Sequence, residues 1–327
     1  HQQQHYLKEV LKLNLNVIGI SNSRTMVFNE MGLDLTHWKT HLAAGEPADA
    51  QTFFKRVKAL NYRNSVFVDN TASQAVAASY SGYLRNSIAV VACNKIACSS
   101  RYADYKTLKQ LAKEFNAPLL FETNVGAGLP IIDTINHHIA SGDKVRKNQA
   151  VLSASLNFVF NTFNDTVTFH DVVQQAQELG YTEPDPTIDL SGIDVIRKIL
   201  ILARESGYAL ELEEVENDAF LQPESLKAPS TEAFLASLKK HEAHFQNLYA
   251  AAAAADCKLK YVAQFEYGKA KAGLQHIPKG HDFYALEGSD NIVRFYTDRY
   301  PNQPLVVKVP APVPMLPLRV FLPMWFG

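Results

Sequence analysis

Apolar positions in the first 130 residues fall into short runs separated by stretches with helical spacing. Residues 13–21 (LNLNVIGIS), 66–69, 88–92 and 119–122 read as strands, and residues 48–61 and 73–85 read as helices. Residues 1–12 read as the tail of a helix. Alternation of this kind predicts an α/β, doubly wound (Rossmann-type) sheet. After residue 143 the rhythm lengthens, with strands expected at 145–155, 209–215, 259–267, 269–276 and 290–296. Helices are expected at 169–179, closed by Gly180 as a left-handed cap, and at 231–255. This second pattern predicts an α+β domain with a mostly antiparallel sheet. The chain therefore divides into residues 1–130, 131–308 and a tail, 309–327.

The segment GYTEPDPTIDLSGIDVIRKIL, residues 180–200, concentrates chemistry. Pro184 and Pro186 hold Glu183 and Asp185 in an extended, acidic loop. Ser191 reads as the N-cap of an apolar helix that carries Asp194 and Lys198 four residues apart on one face. Such a pair is a structural ion pair or half of an active site, and spacing alone leaves both open.

A doubly wound sheet binds nucleotides beyond the carboxyl ends of its strands. The candidate turns are Asn22-Ser23-Arg24, Thr71-Ala72-Ser73 and Asn94-Lys95. NAD sites carry an acid after the second strand; Arg24 with Ser23 suits a 2′-phosphate, so NADP(H) is favoured, with NAD(H) the alternative. The glycine turn G-x-G-x-x-G does not occur, Gly19 standing alone. In the stretch FETNVGAGLP, Gly126 and Gly128 permit close backbone approach, either for packing or for a ligand.

Charge and composition then narrow the classes. The 327 residues are 47% hydrophobic and 20% charged with a net charge of −1, a globular composition that favours neither nucleic acid nor an anionic membrane. Three cysteines are too few and too irregular for a disulfide framework or a zinc site, which fits a reducing cytoplasm. The adjacent His137 and His138 point about 100° apart on a helix and cannot chelate one metal. No apolar run reaches membrane-spanning length, and the first residues lack the apolar core of a signal peptide.

ETNVGAGLP and GYTEPDP…DLSG.DV.RK, in this order and at this separation, resemble homoserine dehydrogenases, in particular the form fused to an aspartokinase. The resemblance implies NAD(P)H-dependent reduction of L-aspartate 4-semialdehyde to L-homoserine, a step toward threonine and methionine. It implies Lys198 as proton donor, with Lys95, from the family's lysine-rich turn, as the second catalytic lysine. Glu183 and Asp194 would bind the amino acid, with Asp189 supporting that subsite. Gly180 falls on the cofactor side. A sodium or potassium ion would be held by Glu122, Val125, Ala127 and Leu129. The protein would be a homodimer through the second-domain sheet, possessing an upstream aspartokinase in its full-length form.

The sequence departs from the family at several points. Ala92-Cys93 stands where Thr-Pro is usual, Ile96 replaces a second lysine, and Ala154 replaces a glycine. Relative to the family, the first strand and its glycine turn would precede residue 1, leaving the first domain without its first strand. The tail VPAPVPMLPLRVFLPMWFG carries five prolines and no acid. Its codons, read with one extra nucleotide in front, can spell the glycine-alanine ending of the family, which predicts a frameshift from Val309. Two other outcomes stay open: an inactive fragment that only folds or dimerises, and a different NADP-dependent oxidoreductase of amino-acid aldehydes.

Overall fold

The computed structural model describes residues 3–309. The proline-rich tail lies outside the described residues, apart from Val309. The chain forms two compact units, the first comprising His1–Asp69, Ser73–Val90 and Leu108–Leu119, the second Asn70–Ala72, Val91–Thr107 and the chain from Leu120 on.

In the first unit, strands β1 (Gly19–Ser21), β2 (Thr25–Phe28) and β3 (Glu46–Pro47) form a small antiparallel sheet in that order. This corrects the expectation of a buried strand over residues 13–21. Only its last three residues are strand, and Leu13 to Val17 alternate between half-buried and exposed. The cause is local. Asn22 Oδ1 accepts from the Arg24 and Thr25 amides at 2.7 and 2.8 Å, an Asx turn that folds the chain back on itself. Gly19 admits the returning Phe28 ring, which a Cβ would meet at 2.7 Å.

Helix α1 (Ala50–Leu60) starts at Asp49, whose carboxylate accepts from the Thr52 amide. Its Phe53 and Phe54 pack on Phe28 and Tyr83, and Tyr83 stacks on Phe67 at 4.1 Å. Phe67 lies on β4 (Val66–Asp69), which with β5 (Ala89–Ala92) and β6 (Leu119–Leu120) forms a sheet in chain order. The helix expected over 73–85 is broken into Gln74–Ala78, capped by Ser73, and Tyr80–Arg85.

The second unit is built on a six-stranded sheet of order β12-β11-β7-β9-β10-β8. Its strands are β7 (Val145–Val151), β8 (Glu216–Asp218), β9 (Cys257–Glu266), β10 (Lys269–Pro278), β11 (Asn291–Thr297) and β12 (Leu305–Val309). All neighbours pair antiparallel except β8 with β10, as the strand rhythm predicted in kind. Helix α2 (Ile131–Ala140) precedes β7.

Local details differ. The strand expected over 145–155 ends at Val151, because Ser153 caps a new helix, α3 (Ala154–Thr162), by accepting from the Leu156 amide. Helix α4 (Phe169–Glu178) is followed by Gly180 at φ +74°. The strand expected over 209–215 is instead a short 3-10 turn leading into β8, and His241 splits the long helix expected over 231–255 into Thr231–Lys240 and Glu242–Ala254.

Candidate active site

The segment 180–200 is two helices joined at a corner. Asp185 caps α5 (Pro186–Leu190) by accepting from the Thr187 amide, and Pro186 occupies the first helical position, where its missing N–H costs nothing. Asp185 is itself extended, as expected for the acidic loop, at φ −103° and ψ 102°, and the helix begins directly after it. Ser191 closes α5 rather than opening the next helix; Gly192, at φ +76°, is the N-cap of α6 (Ile193–Glu205). The apolar face of α6, including Ile196, Ile199, Leu200 and Leu202, is buried. That burial leaves Asp194 and Lys198 on the opposite, half-buried side.

The paired side chains meet a third. Lys198 Nζ lies 2.7 Å from Asp194 Oδ2, and Lys95 Nζ lies 3.3 Å from Asp194 Oδ1. One carboxylate thus bridges two ammonium groups. Burial alone would raise the Asp194 pKa, but Lys198 and then Lys95 hold it far below the usual carboxylate range. Lys198 also donates to the Leu152 carbonyl at 2.7 Å, so two of its three N–H bonds are directed.

Asp189 organises the other side. One oxygen accepts from the Ser155 hydroxyl at 3.0 Å and the other from the Glu183 amide at 2.9 Å. Burial raises its pKa, opposed by these two donors, and the charges of Glu183 and Asp194 push it further up. The three carboxylates are therefore neighbours. Ser155 is a site residue that sequence reasoning missed, as is Ser153, whose hydroxyl lies 2.9 Å from that of Ser155. The signal was present in SASL, read as the end of a strand. As the first turn of α3, it brings the Leu152 carbonyl to Lys198 and the Ser155 hydroxyl to Asp189.

Glu122 accepts the Ile132 and Asp133 amides, each at 2.7 Å, and so caps α2 from a distance in sequence. Its carboxyl is buried and pushed up to about 7 by that burial, despite both amides. Ala127 and Gly126 have φ of +52° and +75°, and the Leu129 carbonyl accepts from Ile131. Beyond the two amides the Glu122 oxygens retain lone pairs, and carboxylate oxygen is a donor of the kind that small hard cations take. Among the described residues no cluster of three His, Cys, Asp or Glu side chains could hold a metal.

The nucleotide candidates fall in both units. Asn22 Oδ1 is committed to its turn, and Ser23 and Arg24 are exposed at the hairpin tip, not at the end of a parallel strand. Thr71 and Ala72 are exposed, and Ser73 caps a helix of five residues. Asn94 is buried, accepts from the Ile96 amide and precedes Lys95. Gly180 is exposed, with open space where a Cβ would stand. Among the described residues no helix is long and apolar enough to cross a membrane.

Two family profiles match: "Homoserine dehydrogenase" over residues 130–311 and "Homoserine dehydrogenase, NAD binding domain" over residues 2–122. A maize chloroplastic bifunctional aspartokinase/homoserine dehydrogenase is 39% identical over 314 residues, 94% of this chain and 34% of that protein. The chain thus spans about a third of the length of such curated relatives. A Schizosaccharomyces pombe homoserine dehydrogenase is 34% identical over 305 residues, covering 90% of this chain and 81% of its own. Among solved structures, a Candida auris protein of unknown function aligns with TM-score 0.86 and 30% identity over 98% of this chain and 93% of its own. A hyperthermophilic archaeal homoserine dehydrogenase in complex with NADPH aligns with TM-score 0.74 at 22% identity, over 98% of this chain and 91% of its own, a likeness of fold.

Proposed function

This chain belongs to the homoserine dehydrogenase family, a family of NAD(P)-dependent oxidoreductases, and on that premise we propose that it reduces L-aspartate 4-semialdehyde to L-homoserine with NADPH. The observation that carries the proposal is the carboxylate of Asp194 bridging Lys95 and Lys198 beside the Asp189–Glu183 loop.

Reduction of an aldehyde needs a hydride at carbon, a proton at oxygen and a grip on the amino acid. The bound nicotinamide supplies the hydride. Lys198 has one N–H left after Leu152 and Asp194, and that N–H stabilises the developing alkoxide and delivers the proton that completes the hydroxyl. Lys95 adds a second positive charge on the same carboxylate, and the trio retains a net charge of +1 opposite the alkoxide. Glu183 and Asp194 hold the substrate ammonium. Asp189, with both oxygens occupied, orients Glu183.

Arg24 with Ser23 would take the 2′-phosphate of NADP(H), and Thr71, Ala72, Ser73, Asn94, Lys95 and Gly180 are the residues that would hold the rest of the dinucleotide; the exposure of Arg24 supports the preference over NAD(H). The domains divide near residue 130, a boundary that the ends of the two profile matches support. The names of the relatives support an aspartokinase in the same polypeptide. A homodimer forms through the second-unit sheet, on the half-buried row of Gln149, Gln264 and Tyr296. The test is NADPH oxidation by the purified chain with aspartate semialdehyde; absence of turnover in the polypeptide carrying all family segments would refute the activity.

A sodium or potassium ion sits at Glu122 with the carbonyls of Val125, Ala127 and Leu129. The Glu122 carboxyl, ordinarily near 4.5, is raised to about 7 in the fold, so its contribution to stability is full below its ordinary value and lost as pH rises through about 7. A bound cation reverses that loss. Exchanging a bulky organic cation for sodium or potassium is expected to raise Tm at about pH 8 and leave it unchanged at about pH 5. The Glu122→Gln variant abolishes the difference, and equal cation effects at both pH values would refute the site.

A further inference from the structure

Lys260 is a buried cation that the proposed chemistry does not use. It lies on β9, its residue fully buried, and every N–H of its ammonium has an acceptor: Asn157 Oδ1 at 2.9 Å, Asn161 Oδ1 at 2.5 Å and the Leu286 carbonyl at 2.9 Å. The two asparagines stand four residues apart on one face of α3. Their amide nitrogens continue the network, Asn157 donating to the Asp290 carbonyl at 3.0 Å and Asn161 to the Gly288 carbonyl at 2.8 Å. Among the described residues Lys260 forms no ion pair; burial pushes its pKa down to about 7, with Lys258 and Lys308 adding to the fall and Asp290 opposing it.

A buried ammonium without a contacting carboxylate is costly, and a hydrophobic side chain would fill the space more favourably, were it not for the three acceptors. What the cation holds is α3. Asn157 is one residue past Leu156 and two past Ser155, so the helix is fixed within its first turns, where it meets the active-site groups. There the Leu152 carbonyl takes Lys198, and the Ser153–Ser155 pair takes Asp189, which takes the Glu183 amide.

We propose that Lys260 is a positioning residue: by clamping Asn157 and Asn161 it sets the axial and rotational position of α3, and through α3 the geometry of Lys198 and of the Asp189–Glu183 loop. This rests on the proposed activity for its kinetic readout only. The ammonium itself touches no reacting atom. Its effect on turnover passes through two hydrogen bonds at the other end of one helical segment.

The test compares Lys260→Met with Lys260→Arg in the full chain, by hydrogen exchange and by kinetics. In Lys260→Met the amides of Leu156 and Glu183 are expected to exchange about tenfold faster, while those of residues 199–203, inside α6, keep their protection. The KM for the amino-acid substrate rises about three- to tenfold and kcat falls, with KM for the dinucleotide unchanged. Lys260→Arg, which retains the donors, lies closer to the parent on every measure. Should Lys260→Met not fold, Asn161→Ala, which removes one acceptor and the Gly288 anchor, gives the same pattern at smaller amplitude. Unchanged exchange at Leu156 and Glu183, or acceleration spread evenly over the chain, overturns the proposal. If the polypeptide carrying all family segments has no turnover, the proposed activity fails, and the exchange pattern still decides the role of Lys260.

Discussion

Replacing Lys198 by alanine is expected to lower kcat by about 10²–10⁴, the range associated with loss of a positioned general acid. That corresponds to about 3–5 kcal/mol of transition-state stabilisation. The loss falls on kcat because the N–H that Lys198 offers to substrate bonds most strongly to an alkoxide that exists only as the reaction proceeds. The fold should survive. The Lys198 side chain retains 16% of its exposure, and Asp194 keeps Lys95 as a partner at 3.3 Å. Steady-state kinetics with circular dichroism as a folding control decide the matter. A variant with kcat within about threefold of the parent would remove Lys198 from the chemistry and leave Lys95 as the proton source.

The second large effect is structural and sits at the corner between the site's two helices. Gly192→Ala is expected to destabilise the protein by about 2–4 kcal/mol, combining a left-handed backbone with an occupied space. Gly192 has φ +76°, and a Cβ there would stand 2.1 Å from the Tyr261 hydroxyl oxygen and 2.8 Å from its ring carbon. Tyr261 is buried on β9 and donates to Asn217 Oδ1 at 2.8 Å, and Asn217 donates to the Ser191 carbonyl at 3.0 Å. The ring therefore cannot swing aside without releasing the corner. Denaturant unfolding of Gly192→Ala, and of the same change combined with Tyr261→Phe, separates the two causes. The double variant should recover part of the loss, since the 2.1 Å contact disappears and the backbone strain remains. A single variant as stable as the parent would show that the corner can relax.

The acid–amine pair of the candidate site was legible in the sequence, but its wider arrangement was not. Asp194 and Lys198 sit four apart in an apolar-faced helix, and that spacing alone puts them within reach of each other. Lys95, about a hundred residues earlier, entered only through the resemblance, as a second catalytic lysine; its contact with the Asp194 carboxylate is a finding of the structure, because no local pattern links a strand-end turn to a distant helix. Ser155 was missed altogether. A run such as VLSASL has the composition of a strand, and whether its serines end a strand or cap a helix depends on what packs on the apolar residues that follow.

The hairpin at Asn22 failed in the opposite way: LNLNVIGIS has strand periodicity, yet most of it is not strand. Alternation states which face a strand would bury, and a partner must supply the edge; here Asn22 turns the chain back so that only Gly19–Ser21 pairs. The sequence by itself determined the two-part α/β organisation, the apolar face of α6 and the acid–amine pair opposite it, because periodicity and spacing act within a few residues. Only the tertiary structure decided that Asp194 joins two lysines, that Asp189 ties Ser155 to Glu183, and that a buried Lys260 bonds Asn157 and Asn161 of α3. Those contacts join residues far apart in sequence, where burial and hydrogen-bond geometry, rather than local preference, choose the partner.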